Sequence, residues 1–145
     1  MTLYLGTSSL VKLYVIEPGS EAVSVLVRQA NVVATSVLAY AEMRAALARL
    51  RREGALTAST FSLAKREFEK DWPAYVAVEV TDVLCRAAGE MAERYRLRGF
   101  DSLHLASFAE VARRSGVGPT RFSSFDDRLN EAARKLTRTL ARSRL

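Results

Sequence analysis

Residues 3–15, LYLGTSSLVKLYV, decide the fold of this chain. Leu3–Leu5 is a short apolar run, followed at once by Thr7, Ser8 and Ser9. Such a run reads as a buried strand, and the hydroxyl residues read as caps for a helix over about Ser9–Val15. Glu17, Pro18 and Gly19 stop that helix. The same pairing recurs downstream. Val32–Thr35 reads as a second strand, with Ser36 capping a long helix to about Arg52 that Gly54 closes. Val76–Val80 reads as a third strand, with Thr81 capping a helix to about Leu97 that Gly99 terminates. Phe122–Phe125 reads as a fourth, with a helix from about Arg128. Three further helices are predicted: one from a Ser20 cap to Asn31, one from Thr57 to Trp72-Pro73, and one from Asp101 to about Arg113, ended by Gly116. This alternation predicts an α/β fold, a mainly parallel sheet with helices on both faces. Such folds place ligands at the carboxyl ends of their strands.

Composition fits one such domain. The chain has 145 residues, 49% of them hydrophobic and 26% charged, enough to bury a core and too apolar for wholesale disorder. No apolar run approaches the roughly 20 residues of a membrane span, and the N-terminus lacks the charged region of a signal peptide. The lone cysteine, Cys85, forms no intrachain disulfide, which makes a cytoplasmic setting the simplest reading. Cys85 is expected to be buried as a small apolar residue. The net charge is +6, unevenly spread: residues 1–42 carry two cations against three carboxylates, residues 113–145 nine against three. A basic half suits a phosphate-bearing partner; an arginine-rich solvated surface explains it equally well.

The acidic residues that follow strands are where chemistry is to be sought. Glu42 lies in the helix after the second strand, Asp101 at a helix start within RGFDSLH, and Asp126 just past the fourth strand. Carboxylates converging on one sheet edge suit a hard divalent cation, Mg²⁺ or Mn²⁺, which can activate water for phosphodiester hydrolysis. Each also has a plainer role. Asp101 complements a helix dipole, Asp126 or Asp127 caps the last helix, and Glu42 is a solvated helix residue. His104 reads as a satisfied core histidine, and Lys12 and Arg98 as exposed cations that could face RNA.

Four segments together, LYLGTSSLVKLYVIEPGSEAV, TSVLAYAEMRAAL, LRGFDSLHLASF and FSSFDDRLNEAA, resemble the PIN domain family and, within it, the VapC toxins of toxin–antitoxin pairs. The resemblance runs from Leu3 to about Leu136 and implies a domain over residues 1–136, leaving 137–145 as a basic C-terminal tail, either a contact segment for RNA or a partner or a frayed helix end. It implies a Rossmann-like sheet of four or five short strands and a Mg²⁺- or Mn²⁺-dependent endoribonuclease. A VapB-like antitoxin, an RNA substrate and a homodimer are the implied partners. Glu42, Asp101 and Asp126 match the family's second, third and fourth acidic positions, as catalytic and metal-holding residues, and Ser8 matches the supporting hydroxyl. Gly6 departs from the pattern: the family has Asp there, so a metal-binding carboxylate is missing. Natural loss, selected or engineered inactivation, and compensation by a neighbouring carboxylate are the three readings of that glycine. The competing functions are a non-catalytic binder of RNA or antitoxin, and a PIN nuclease of RNA maturation.

Overall fold

The structure, a computed structural model, describes residues 1–143. Strand β1 (Thr2–Leu5) passes through Gly6 into one helical turn, α1 (Thr7–Leu10), which tightens to a 3₁₀ turn over Val11–Leu13. Then come α2 (Ser20–Gln29), β2 (Val32–Ser36), α3 (Leu38–Arg52) and α4 (Ala58–Asp71). A 3₁₀ turn at Trp72–Ala74 leads to β3 (Val76–Val78), α5 (Asp82–Tyr95), α6 (Gly99–Ser115), β4 (Thr120–Ser123) and α7 (Asp127–Arg142). The four strands form one all-parallel sheet in the order β3-β2-β1-β4. No fifth strand is present among the described residues.

Strand pleating divides the core in two, because successive side chains point to opposite faces. Leu3 and Leu5 join Leu10, Val23, Met43, Leu47 and Phe68 on the face covered by α2, α3 and α4. Tyr4 points the other way, onto Leu105, Phe108, Ala109, Leu129 and Leu136 beneath α6 and α7. Fully burying a side chain such as Leu3 contributes about 2 kcal/mol, so one register fixes both layers.

The helix starts differ from the predicted caps. Gly6 is the N-cap of α1, so Thr7, Ser8 and Ser9 are inside the helix with hydroxyls free to reach across the fold. Gly19, at φ 96°, is the N-cap of α2, and Ser20 is its first residue. The Ser20 hydroxyl instead closes the preceding loop between Glu17 N–H and Val15 C=O. Any Cβ at Gly19 would stand 2.7 Å from the Phe125 ring, so glycine is required there for space as well as backbone. Gly99 does not terminate α5: Arg96 does, in the left-handed conformation at φ 55°, and Gly99 opens α6. Ser36 still accepts a hydrogen bond from Leu38 N–H, although Val37 holds the cap position. Thr57 and Thr81 cap α4 and α5 as predicted.

Helix α7 crosses position 136 without a break, with Leu129, Ala132, Ala133 and Leu136 buried and Leu140 packed on the same core. Residues 137–142 therefore continue the last helix rather than form a separate tail, and 144 and 145 lie outside the described residues. Cys85 is exposed, contrary to expectation. The buried face of α5 is carried by Leu84 and Ala88, and Cys85 is one step of about 100° away from Leu84.

Candidate functional site

In strand order β3-β2-β1-β4, the chain winds one way from β1 through β2 and β3, then crosses to the far side of β1. The carboxyl ends of β1 and β4 therefore flank the topological switch point, where parallel sheets open a crevice. Gly6 and Ser124 meet there: a Cβ on Gly6 would lie 3.2 Å from the Ser124 Cβ. Gly6 is buried, Glu42 and Asp101 are half-buried, and Asp126 is exposed. These residues come from β1, α3, α6 and the β4–α7 turn, and the fold brings them together: Asp101 feels the charges of both Asp126 and Glu42.

Hydroxyl groups hold the crevice in shape. Phe125 N–H donates to Ser8 Oγ at 2.8 Å, and Ser9 Oγ meets Ser123 Oγ at 2.8 Å. The first turn of α1 is thereby tied to the end of β4. Asn130 donates to Ser124 C=O and pairs with its hydroxyl, bracing the same turn from α7. Lys12 lies over the Phe125 ring and pairs with Glu17 at 2.7 Å. Lys12 is thus committed to the scaffold, and Glu17 with it. Asp126 is the N-cap of α7, its Oδ1 accepting from Leu129 N–H at 2.8 Å. Asp127, the other residue offered as a cap, sits in the first turn.

Glu42 and Asp101 occupy opposite electrostatic states. His104, 3% exposed, meets Glu42 Oε1 through Nε2 at 2.6 Å, and Thr7 Oγ1 donates to the same oxygen at 2.7 Å. Burial works to raise the Glu42 pKa, but these hydrogen bonds outweigh it and hold the carboxyl below its ordinary value. The other His104 nitrogen, Nδ1, meets the buried Tyr4 hydroxyl at 2.8 Å. Tyr4 is in turn pushed far upward by burial and stays neutral. Asp101 has no ion pair or hydrogen bond to its carboxylate among the described residues. Burial raises its pKa, the charges of Asp126 and Glu42 raise it further, and His104 and Arg98 only partly offset them. Like charges close together raise one another's pKa; Glu42 is nevertheless lowered because its hydrogen-bond partners stabilise the anion.

The donor set fits a divalent cation only in part. Asp101 keeps both oxygens available and Asp126 one, while Glu42 Oε1 is engaged and position 6 offers nothing. Among the described residues, no three of His, Cys, Asp and Glu stand as a metal-holding group. Two carboxylates with water are nevertheless an ordinary donor set for Mg²⁺. Sequence reasoning left His104 as a core residue and missed its bond to Glu42. His104 follows Asp101 at spacing i, i+3, so the two lie one helical turn apart on α6, the only signal available.

Comparison with known proteins agrees with this architecture. The PIN domain family model matches residues 3–135. Ribonuclease VapC45 of Mycobacterium tuberculosis (strain CDC 1551 / Oshkosh) is 41% identical over 109 residues, 75% of this chain and 76% of that protein. Ribonuclease VapC49 of strain ATCC 25618 / H37Rv gives the same identity and coverage. Ribonuclease VapC46 of that strain is 34% identical over 134 residues, 92% of each chain.

Proposed function

The chain belongs to the PIN domain family, and on that premise we propose that it is the ribonuclease toxin of a toxin–antitoxin pair, with a metal site weakened at Gly6. The observation that carries the reading is the unneutralised Asp101 carboxylate beside Asp126 and Glu42 at the switch point. Its relatives are named ribonucleases. Asp101 and Asp126 are the residues that would hold Mg²⁺ or Mn²⁺, with Glu42 orienting water through its free oxygen. When bound, the cation supplies positive charge to the scissile phosphate and lowers the pKa of water. The chain itself presents the carboxylates, fixes Glu42 as an anion through His104 and Thr7, and aligns the β4–α7 turn through Ser8. An RNA substrate, a VapB-like antitoxin, a homodimeric state and a cytoplasmic location belong to the same reading. No helix of the described residues is long and apolar enough to cross a membrane.

Gly6 favours a second reading, a PIN scaffold that binds RNA or antitoxin without cutting. One substitution separates the two. Gly6 has φ −69° and ψ 161°, a backbone any residue adopts, so aspartate is accommodated once Ser124 yields by a few tenths of an ångström. Gly6→Asp and the present chain are compared on total RNA with Mn²⁺, Mg²⁺ and EDTA. The toxin reading expects slow or no cleavage by the present chain and EDTA-sensitive cleavage by Gly6→Asp. Silence from both, with no metal bound by Gly6→Asp, supports the non-catalytic binder.

A further inference from the structure

One buried imidazole links the elements that carry positions 6, 42 and 101. His104, 3% exposed, is the sole histidine of the chain and stands between two oxygens. Its Nε2 meets Glu42 Oε1 at 2.6 Å, and its Nδ1 meets the Tyr4 hydroxyl at 2.8 Å. Tyr4 lies on β1 two residues before Gly6, Glu42 on α3, and His104 on α6 one turn after Asp101. Thr7, the residue after Gly6, donates to the same Glu42 oxygen at 2.7 Å and lies 3.2 Å from His104 Nε2. Helix α6 is buried along most of its length, so it carries Asp101 and the donor for Glu42 as one body. The placement of Glu42 relative to Asp101 and to position 6 therefore runs through His104.

The chemistry of the groups fixes the direction of these bonds. An ionised carboxylate only accepts, and Glu42 is held as the anion, so the proton of the 2.6 Å contact belongs to Nε2. The fully buried Tyr4 keeps its own proton and holds the ring from the other side. Bonds to an ionised acceptor are the short and strong ones. Oε1 thus carries two donors, one from α1 and one from α6, whereas no hydrogen bond reaches Oε2 among the described residues. The Glu42 side chain is 27% exposed while the imidazole behind it is closed off, which leaves Oε2 as the oxygen for the crevice. The rest of this layer is packed with hydrocarbon side chains such as Leu105, Phe108 and Ala109, so packing alone does not call for an imidazole.

We propose that His104 is a positioning residue of the nuclease site: its Nε2–H, together with the Thr7 hydroxyl, clamps Glu42 Oε1 and presents Oε2 alone to the attacking water, in register with Asp101. The proposal deepens the ribonuclease reading and rests on it. His104 is closed off from solvent, touches no substrate and acts through Glu42. Glu42 accordingly serves as a one-oxygen acceptor for water and not as a bidentate metal ligand. Disturbing the clamp therefore costs turnover, while metal and RNA binding are kept.

Two readouts test this, one of them independent of metal and RNA. The untagged chain, grown with isotope-labelled histidine, gives a single imidazole in nitrogen–proton correlation NMR, because it has one histidine. Nε2 is expected to carry a proton protected from exchange, and Glu42→Ala should abolish that protection. An Nε2 without a proton, or protection that survives Glu42→Ala, contradicts the clamp. The second readout is turnover of RNA by Gly6→Asp with Mn²⁺, beside Mn²⁺ affinity. A glutamine amide reaches the place of Nε2 and an asparagine amide that of Nδ1. His104→Gln therefore keeps the donor to Glu42 and gives up the partner of Tyr4, and His104→Asn does the reverse. In the Gly6→Asp background, His104→Asn should lower kcat by about tenfold or more, the usual cost of losing a group that orients a site residue. KM and Mn²⁺ affinity should be unchanged, and His104→Gln should keep most of the rate. A purely structural histidine predicts the opposite order, because Tyr4 is the more deeply buried of its two partners. Equal kcat in the two variants, or a higher kcat in His104→Asn, overturns the proposal. If the His104 variants fail to fold, Thr7→Ser and Thr7→Val put the same question to the same oxygen from its other donor. Thr7→Ser should keep the rate and Thr7→Val lose it; equal rates count against the clamp. A Gly6→Asp that cuts no RNA removes the nuclease reading and this proposal with it, whereas an active Gly6→Asp with the wrong order of His104 variants removes this proposal alone.

Discussion

Glu42 and Asp101 share one crevice and have been treated oppositely by the fold. Glu42 is bonded by His104 and Thr7, and its pKa is held down although burial opposes this. Asp101 is raised by burial and by its neighbours' charges, with no bond to its carboxylate among the described residues. The Glu42 corner reads as structure: a chain of buried groups from Tyr4 through His104 to Glu42, closed by Thr7. The Asp101 corner reads as a site awaiting positive charge. Carboxylates left in this state are a mark of function because they cost stability.

The largest expected effect breaks the satisfied corner. His104→Ala takes from the Tyr4 hydroxyl its imidazole partner, leaves Glu42 with Thr7 alone and opens a cavity beside Tyr4, and is expected to cost about 3 kcal/mol by urea denaturation. A cost below about 1 kcal/mol would mean the network is not structural. Next comes the tie between α1 and the β4–α7 turn. Ser8→Ala deprives Phe125 N–H of its acceptor and should cost about 1 kcal/mol.

The smallest effect has the opposite sign. Asp101→Asn removes a charge the fold disfavours and is expected to raise Tm by about 2 °C at pH 7. Because the folded pKa of Asp101 is raised, its cost is present above that pKa and absent below the ordinary value. The gain of Asp101→Asn should therefore shrink as pH falls through the raised pKa and vanish in acid. Glu42 runs the other way: its lowered pKa gives stability that is complete above its ordinary value and lost as pH falls through the folded one. Glu42→Gln should accordingly lower Tm at pH 7, with the deficit closing in acid. Thermal melts of both variants between pH 3 and 8, the range bracketing ordinary carboxyl titration, read the two signs side by side.

The strand–helix alternation was legible in the sequence because short β-branched runs and single glycines or prolines punctuate it, and all four strands stand within two residues of their predicted bounds. What was not legible follows from tertiary choices. Thr7 and Ser20 look like caps, but their hydroxyls have better partners elsewhere in the fold or loop. Arg96 in a left-handed conformation gave no signal beside an obvious glycine at position 99. β4 ends at Ser123, and of the two aspartates that follow it is Asp126 that caps α7. Position 6 was visible as a departure from the resembled pattern, because the residues around it keep that pattern. The bond from His104 to Glu42 spans 62 residues, and no local pattern encodes a contact of that range. Cys85 was readable: helical spacing places it off the stripe formed by Leu84 and Ala88.

On the proposed reading, the Asp101 corner is one carboxylate short of a metal site, and position 6 is where it is missing. Mn²⁺ binding, followed by electron paramagnetic resonance of the free ion, tests this without any reaction. The present chain should bind Mn²⁺ weakly, Gly6→Asp at least tenfold more tightly as expected for a restored ligand, and Gly6→Asp with Asp101→Asn no better than the present chain. Equal affinity of the present chain and Gly6→Asp would contradict the account.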